Sequence, residues 1–256
     1  MVVADLHIHT TNSDGTLTLE TLPEAAETTA ISAVAITDHD RLHPELSTPV
    51  GNIGGLTVVH GIELRVETEV GNVDLLGYGV RRTPELESLI DRLQTNRIER
   101  AEKIIERVES RLETAVPIEP RPGIGRPHIA EAIETVSGYT YQEAFDELIG
   151  EGKPCYVARE IPTFKDGVAV LNDACGLVSL AHPYRYDDPK AALSLCESLD
   201  AVERFYPYGH EIDPRPIEQA IERYDLVATG GSDAHGETIG TAGLDVGEYR
   251  AFRSAI

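Results

Sequence analysis

The chain has 256 residues, 41% of them hydrophobic, which suits one large α/β domain or one domain carrying an insertion. Acidic residues outnumber basic ones 44 to 22, for a formal net charge of -22, and the lysines are few (Lys103, Lys153, Lys165, Lys190). So dispersed a carboxylate excess fits a high-salt environment, where self-repulsion is screened, and it argues against a broad surface for duplex DNA while leaving room for a local basic pocket.

The opening "MVVADLHIHT" has no basic leader, and no later stretch approaches membrane-spanning length, so a soluble, cytoplasmic chain with no membrane partner is expected. Residues 2–8 read as a buried strand. His7 and His9 lie two apart, and side chains alternate along a strand, so both imidazoles project to one side. Such a pair is either structural or part of a metal site. A helix follows at 19–30, opened by Thr18 with Pro23 in its first turn. Further strands are expected at 32–37, 56–64, 73–80, 176–181, 201–205 and 226–229. Further helices are expected at 84–112, 126–136, 141–149, 164–174, 189–198 and 213–223.

Strand–helix alternation implies a parallel sheet, and seven strands with helices outside suit a closed or nearly closed barrel. From 84 to 160 the rhythm breaks into helices alone, around the hinge "VPIEPRPGIGRP". That segment reads as a helical insertion capping the barrel, dividing the chain into 1–83, 84–160 and 161–256. Cys155, Cys175 and Cys196 are odd in number and show no CxxC spacing, which speaks against disulfide scaffolds and thiolate zinc sites.

Chemistry gathers at the strand ends. Asp38, His39 and Asp40 follow "SAVAIT", Glu63 follows "LTVVHGI", Asp74 lies in "VDLLGYG", His182 follows "GLVSLA", and Asp233 and His235 follow "LVATGGS". Of these, His39, Glu63, Asp74, His182, Asp233 and His235, with His7, His9 and Asp14, make nine candidate ligands at the strand ends, where barrels carry their active sites. Mixed imidazole and carboxylate donors suit Mn, Fe or Zn, with Mg possible, and so many imply two or three ions sharing bridging carboxylates. Asp38 and Asp40 are expected to orient His39 or tune the site; His43, His60 and His210 are read as structural.

"DLHIHTTNSDG", "ITDHD", "HGIE", "AHP" and "GSDAH" resemble the ordered motifs of the polymerase-and-histidinol-phosphatase (PHP) family. "GRPHIAEAI", "AFDELIGEGKPCYV" and "SLAHPYRY" further resemble its TrpH-type branch of nucleoside 3′,5′-bisphosphate phosphatases and 5′-end RNA nucleases. The resemblance implies a distorted (β/α)7 barrel holding three ions. One would take His7, His9, Glu63 and Asp233; a second Glu63, His182 and position 74; a third Asp14, His39 and His235. The branch usually has histidine where this chain has Asp74, so Asp74 either ligates through a harder oxygen or only holds its hairpin.

It further implies a phosphoesterase whose metal-bridging hydroxide is held by Glu63, Asp233 and His235, with Arg126 and His128 gripping substrate phosphate at a helix N-terminus. Lys153 and Arg185 are weaker candidates for the same role. The expected partner is a small phosphorylated nucleotide or a short single-stranded RNA end. Histidinol-phosphate phosphatase, cyclic phosphodiesterase and a non-catalytic metal-binding module stay open as alternatives.

Overall fold

The computed structural model describes residues 1–256. In chain order it begins with β1 (Ala4–Ile8), α1 (Leu22–Thr29), β2 (Ala33–Ile36), β3 (Val50–Ile53), β4 (Leu56–Thr68) and β5 (Gly71–Tyr78). The helices α2 (Pro84–Leu112), α3 (Arg126–Val136) and α4 (Tyr141–Glu143) follow, the last running on into a π-helical stretch, Ala144–Ile149. The chain then returns to alternation with α5 (Phe164–Ala174), β6 (Leu177–Leu180), α6 (Pro189–Ser194), β7 (Ala201–Phe205), α7 (Arg215–Tyr224), β8 (Val227–Gly230) and α8 (Val246–Ala255). Two compact units result: residues 1–87 with 161–256, and residues 88–160.

The first unit is an α/β fold built on one sheet in the order β1-β2-β4-β5-β6-β7-β8, with β3 paired to β4. Four of its pairings are parallel: β1 with β2, β2 with β4, β6 with β7, and β7 with β8. The expected parallel sheet is therefore only partly present, because β5 runs antiparallel to both β4 and β6. The cause is the link length. Only Glu69 and Val70 separate β4 from β5, far too few for a crossover, so the two strands must fold back as a hairpin. β3 is a second such hairpin, closed by Gly54 and Gly55 at positive φ of 58° and 92°, and neither it nor α8 was expected from the apolar pattern.

The sheet curls, so that Ile8 at the end of β1 bridges Ala234 just past β8. Its two faces follow the period-2 rule. Ala33 and Ala35 of β2 pack with Leu6, Leu76 and Phe252, whereas Val34 and Ile36 pack with Leu17, Leu22 and Ile239. Small residues on one face and branched ones on the other give that face room for the polar side chains described below. In the second unit, Ile104, Ile105 and Val108 of α2 pack with Ile129 and Ile133 of α3 and with Leu148 and Ile149. Thr140 and Glu143 cap α4 reciprocally: the Thr140 N–H donates to Glu143 Oε2 at 2.8 Å, and the Glu143 N–H donates to Thr140 Oγ1 at 3.3 Å.

Candidate metal centre

His7 lies in β1 and His9 directly follows it, both fully buried, with ring centroids 5.3 Å apart. The strand ends bring three donor groups around them: His7, His9, Glu63 and Asp233; Glu63, Asp74 and His182; and His9, Asp14, His39 and His235. Within each group the ligand atoms lie within 4.8 Å of one another. Glu63 belongs to the first two groups and His9 to the first and third, so the groups form one continuous cluster.

His9 Nε2 is 3.1 Å from Asp233 Oδ1 and 3.4 Å from Glu63 Oε2, and His182 Nε2 is 3.2 Å from Glu63 Oε1. His235 Nε2 is 3.4 Å from Asp14 Oδ1, and His39 Nε2 is 3.7 Å from Asp14 Oδ2. Asp74 lies between two partners, with Oδ2 3.8 Å from His182 Nε2 and Oδ1 3.7 Å from Arg65 Nε.

The donor set fits divalent cations. His7 Nε2, His9 Nδ1 and Asp14 Oδ1 are buried and meet no aligned hydrogen-bond partner, although orphaned buried polar atoms are costly. Each faces its own group: His7 Nε2 is 3.6 Å from Glu63 Oε1 and 3.4 Å from Asp233 Oδ1. A shared positive charge at these points would satisfy all of them. Burial works to raise the carboxyls of Glu63, Asp14 and Asp233, but the imidazoles around them outweigh it and hold all three well below the usual carboxylate range. Burial likewise opposes protonation of His7, yet Glu203, Asp233 and Glu63 raise it well above the ordinary imidazole value; His9, buried beside His39, is lowered. A cation bound among these groups would take the place of the proton that the carboxylates favour on His7.

Backbone strain concentrates here. His182 and Asp233 hold φ of 28° and 52°, a region that side-chain-bearing residues rarely occupy. Gly231 runs so close to His7 that any Cβ would collide with the His7 backbone nitrogen and Cβ, and a Cβ on Gly15 would strike the His9 carbonyl. These glycines let neighbouring segments press against β1.

The supporting residues were mostly not foreseen. Glu203 of β7 is fully buried; Oε1 is 3.0 Å from His7 Nδ1, and Oε2 accepts the His182 N–H at 2.7 Å. Asp5 accepts from the Ser232 N–H at 2.9 Å and the Gly240 N–H at 2.7 Å, tying β1 to the segment that carries Asp233. Charge inside an otherwise apolar strand, as in "VADLHI" and "DAVERF", was the available signal. Asp38, expected to orient His39 or tune the site, acts through the neighbouring turn: its carboxylate accepts from Thr10 N–H and Oγ1, both at 2.8 Å, and from Ser13 Oγ at 2.7 Å. It fixes the turn that presents Asp14. Asp40 accepts the Arg65 N–H at 3.1 Å.

Of the cationic candidates, Arg185 joins the cluster, with Nη1 2.9 Å from Asp233 Oδ2. Arg126, His128 and Lys153 belong to the helical unit. There Arg126 and Arg100 both lie over the Tyr156 ring, at 5.7 and 5.9 Å from its centroid. Burial, together with the like charges of Arg126, Arg159 and Arg97, pushes Arg100 down to about 9. Four guanidiniums thus lie near enough to influence one another, a local basic cluster in so acidic a chain. The His128 ring caps its own helix, Nδ1 accepting the Gly125 N–H at 3.1 Å. His60 and His43 lie outside the three groups; His60 is buried, and His43 Nδ1 accepts the Glu45 N–H at 3.4 Å.

The PHP domain model matches residues 5–151. The chain belongs to the PHP family. It is 30% identical over 249 residues to a phosphoribosyl 1,2-cyclic phosphate 1,2-diphosphodiesterase of Eggerthella lenta, covering 92% of this chain and 95% of that one. It is 27% identical over 267 residues to a 3′,5′-nucleoside bisphosphate phosphatase of Chromobacterium violaceum, covering 96% and 91%. The 5′-3′ exoribonuclease Rnm of Salmonella typhimurium is 30% identical over 196 residues, 73% of this chain and 67% of that one. A solved structure from Bifidobacterium adolescentis, described as that of a metal-dependent phosphoesterase, carries the same fold, superposing with a TM-score of 0.81 at 24% identity over 98% of this chain and 96% of that one. No helix is long and apolar enough to cross a membrane.

Proposed function

We propose that this PHP-family phosphoesterase removes phosphate from a small nucleotide of the 3′,5′-bisphosphate type, or 5′ nucleotides from short single-stranded RNA, with two or three divalent ions bound at the cluster. The observation that carries the reading is the overlap of the three donor groups through Glu63 and His9, which supports several cations bound within one phosphate's reach. We read the fold as a distorted (β/α)7 barrel with residues 84–160 inserted. All nine candidate ligands, including Asp74, are assigned to the metals, with Mn, Fe or Zn favoured by the mixed donors and Mg possible.

When bound, such ions supply charge that neutralises phosphoryl oxygens and acidifies water near neutral pH. The chain's own residues do the rest. Glu63, Asp233 and His235 are assigned to hold the attacking oxygen; Glu63 and Asp233 share one donor group, and His235 Nδ1 lies 3.7 Å from Asp233 Oδ1. Arg185, half exposed and reaching Asp233 from the solvent side, meets an incoming anion. Arg126 and His128, with the neighbouring arginines, are proposed to grip a substrate phosphate, and Lys153 to support them.

A second reading, cyclic phosphodiester hydrolysis, is favoured by the near full-length match to the Eggerthella lenta enzyme. The same charge arrangement serves either ester. One experiment separates the readings: metal-reconstituted protein is assayed on a nucleoside 3′,5′-bisphosphate, a 5′-phosphorylated RNA trimer, phosphoribosyl 1,2-cyclic phosphate and histidinol phosphate. The bisphosphate or the RNA should be turned over fastest. Preference for either other substrate overturns the assignment, and inactivity on all four with metal bound would make the chain a binding module.

A further inference from the structure

The chain has only 10 tyrosines, yet Tyr184, Tyr186, Tyr206 and Tyr208 gather beside the candidate metal centre. From His182, a ligand candidate, ring follows ring outward: Tyr206 at 5.4 Å, Tyr208 at 4.7 Å beyond it, then His210 at 6.2 Å. The inner end is anchored, the Tyr206 hydroxyl donating to Asp233 Oδ2 at 2.9 Å. At the outer end, Pro207, Gly209 and His210 are exposed and Tyr208 is partly so. The turn is built for this: Tyr208 N–H returns to the Tyr206 carbonyl at 3.0 Å around Pro207, and Gly209 takes a φ of 71°. Tyr184 stands edge-on behind Tyr208, 5.5 Å away at 88°, its hydroxyl donating to the Asp213 carbonyl at 2.7 Å.

Asp233 and Arg185, which lies 5.9 Å over its ring, account for Tyr206, but nothing in phosphate ester hydrolysis requires the rings of Tyr208 and His210 beyond it. Aromatic side chains leading away from a phosphate-handling centre are what a nucleobase stacks on, whatever its identity. We infer that Tyr206 and Tyr208, flanked by His210, form a nucleobase-stacking platform through which this phosphoesterase selects substrates carrying a base over base-free sugar phosphates. The inference rests on the phosphoesterase reading but adds a ligand group that the metal ligands and arginines do not address. Tyr184 is its structural backing, holding the Tyr208 ring upright.

The test compares adenosine 3′,5′-bisphosphate with the 3,5-bisphosphate of 1-deoxyribose, which lacks a base, on parent, Tyr208→Ala and Tyr208→Phe proteins. The parent should favour the base-bearing substrate. Tyr208→Ala should raise KM for it by about fivefold to a hundredfold, the range of one lost base–aromatic stack, and leave the base-free substrate unchanged. Tyr208→Phe, which keeps the ring, should behave as the parent. Metal content and thermal midpoint identify a variant that has merely unfolded; in that case Tyr206→Phe against Tyr206→Leu repeats the comparison. Calorimetric binding of adenosine 5′-monophosphate and ribose 5-phosphate reads the platform even if neither bisphosphate is hydrolysed, so failure of the reaction reading stays distinguishable. Equal handling of both ligands by the parent, or equal loss of both in Tyr208→Ala, overturns the platform.

Discussion

Glu203 holds two metal-ligand candidates with one carboxylate, Oε1 lying 3.0 Å from His7 Nδ1 and Oε2 2.7 Å from the His182 backbone nitrogen. The contact directs the His7 Nε2 edge toward Glu63 and Asp233 and stabilises His182 in its left-handed backbone geometry. Glu203→Gln keeps the shape and removes the charge. It should weaken metal binding by roughly tenfold to a hundredfold, read by metal titration with elemental analysis, while the metal-free protein keeps its secondary structure. Unaltered affinity would leave Glu203 with a packing role only.

Asp74 lies within reach of both His182 and Arg65, so its two possible roles compete at one side chain. As a ligand, its extra oxygen should shift preference toward harder ions such as Mn and Mg. Asp74→His should move that preference toward Zn without unfolding the chain, and Asp74→Ala should lose one ion selectively. Elemental analysis after dialysis against each metal decides; full metal content in Asp74→Ala would show that the hairpin contact to Arg65 is its whole function.

The metals should also stabilise the fold. The centre holds three ionised carboxylates at close quarters, and a ligand that binds only the folded state stabilises it by about 2.7 kcal/mol at a hundred times its Kd. Thorough chelation should lower the melting temperature, and Mn should restore it in a concentration-dependent way. The triple variant Glu63→Gln, Asp14→Asn, Asp233→Asn should lose that response.

The nine candidate ligands were legible because metal chemistry restricts donors to a few residue types, and because strand ends are where the chain's periodicity breaks. The groups they form in space follow the family's ordered motifs, apart from the extra share that His9 takes in the third group. Residues that position the ligands were harder to see. Glu203 and Asp5 lie inside strands, where a single charge among apolar neighbours is the entire signal, and Asp38 points back to the turn before it rather than to adjacent His39. The mixed sheet was missed because periodicity marks strands but not their direction. The two-residue link of Glu69 and Val70 does mark it, once both strand ends are placed. The arginine cluster was not legible, since Arg97, Arg100, Arg126 and Arg159 come near one another only after the helices pack.

Arg126 tests that arginine cluster apart from the metals. It belongs to the helical unit, where it shares the Tyr156 ring with Arg100, and it is in none of the three donor groups. Arg126→Ala should therefore leave metal content intact. If it grips substrate phosphate, the loss of one charge-assisted contact costs about 2–5 kcal/mol, a fall in kcat/KM of roughly thirtyfold or more. Arg126→Lys should recover part of it, keeping the charge but not the planar fork. Parent-like turnover by Arg126→Ala would move the phosphate contact elsewhere.

His60 offers a pH signature remote from the substrate. It is buried on β4, and burial, reinforced by the charge of Arg82, pushes it down to about 4. A histidine whose folded pKa lies below its unfolded value of roughly 6.5 binds protons more readily when unfolded, so stability falls as pH drops through that interval. From pH 7 to pH 5 the deficit from this one group is about 2 kcal/mol. The carboxylates of the centre do not contribute over this range, since their folded pKa values are lowered and their stabilisation is lost only in more acidic solution. Raised His7 acts in the opposite direction and mainly above neutrality. Urea denaturation of metal-free parent and His60→Gln at both pH values isolates the difference: the parent should lose about 2 kcal/mol more than the variant. Parallel losses would mean that His60 is reached by water and protonates in place.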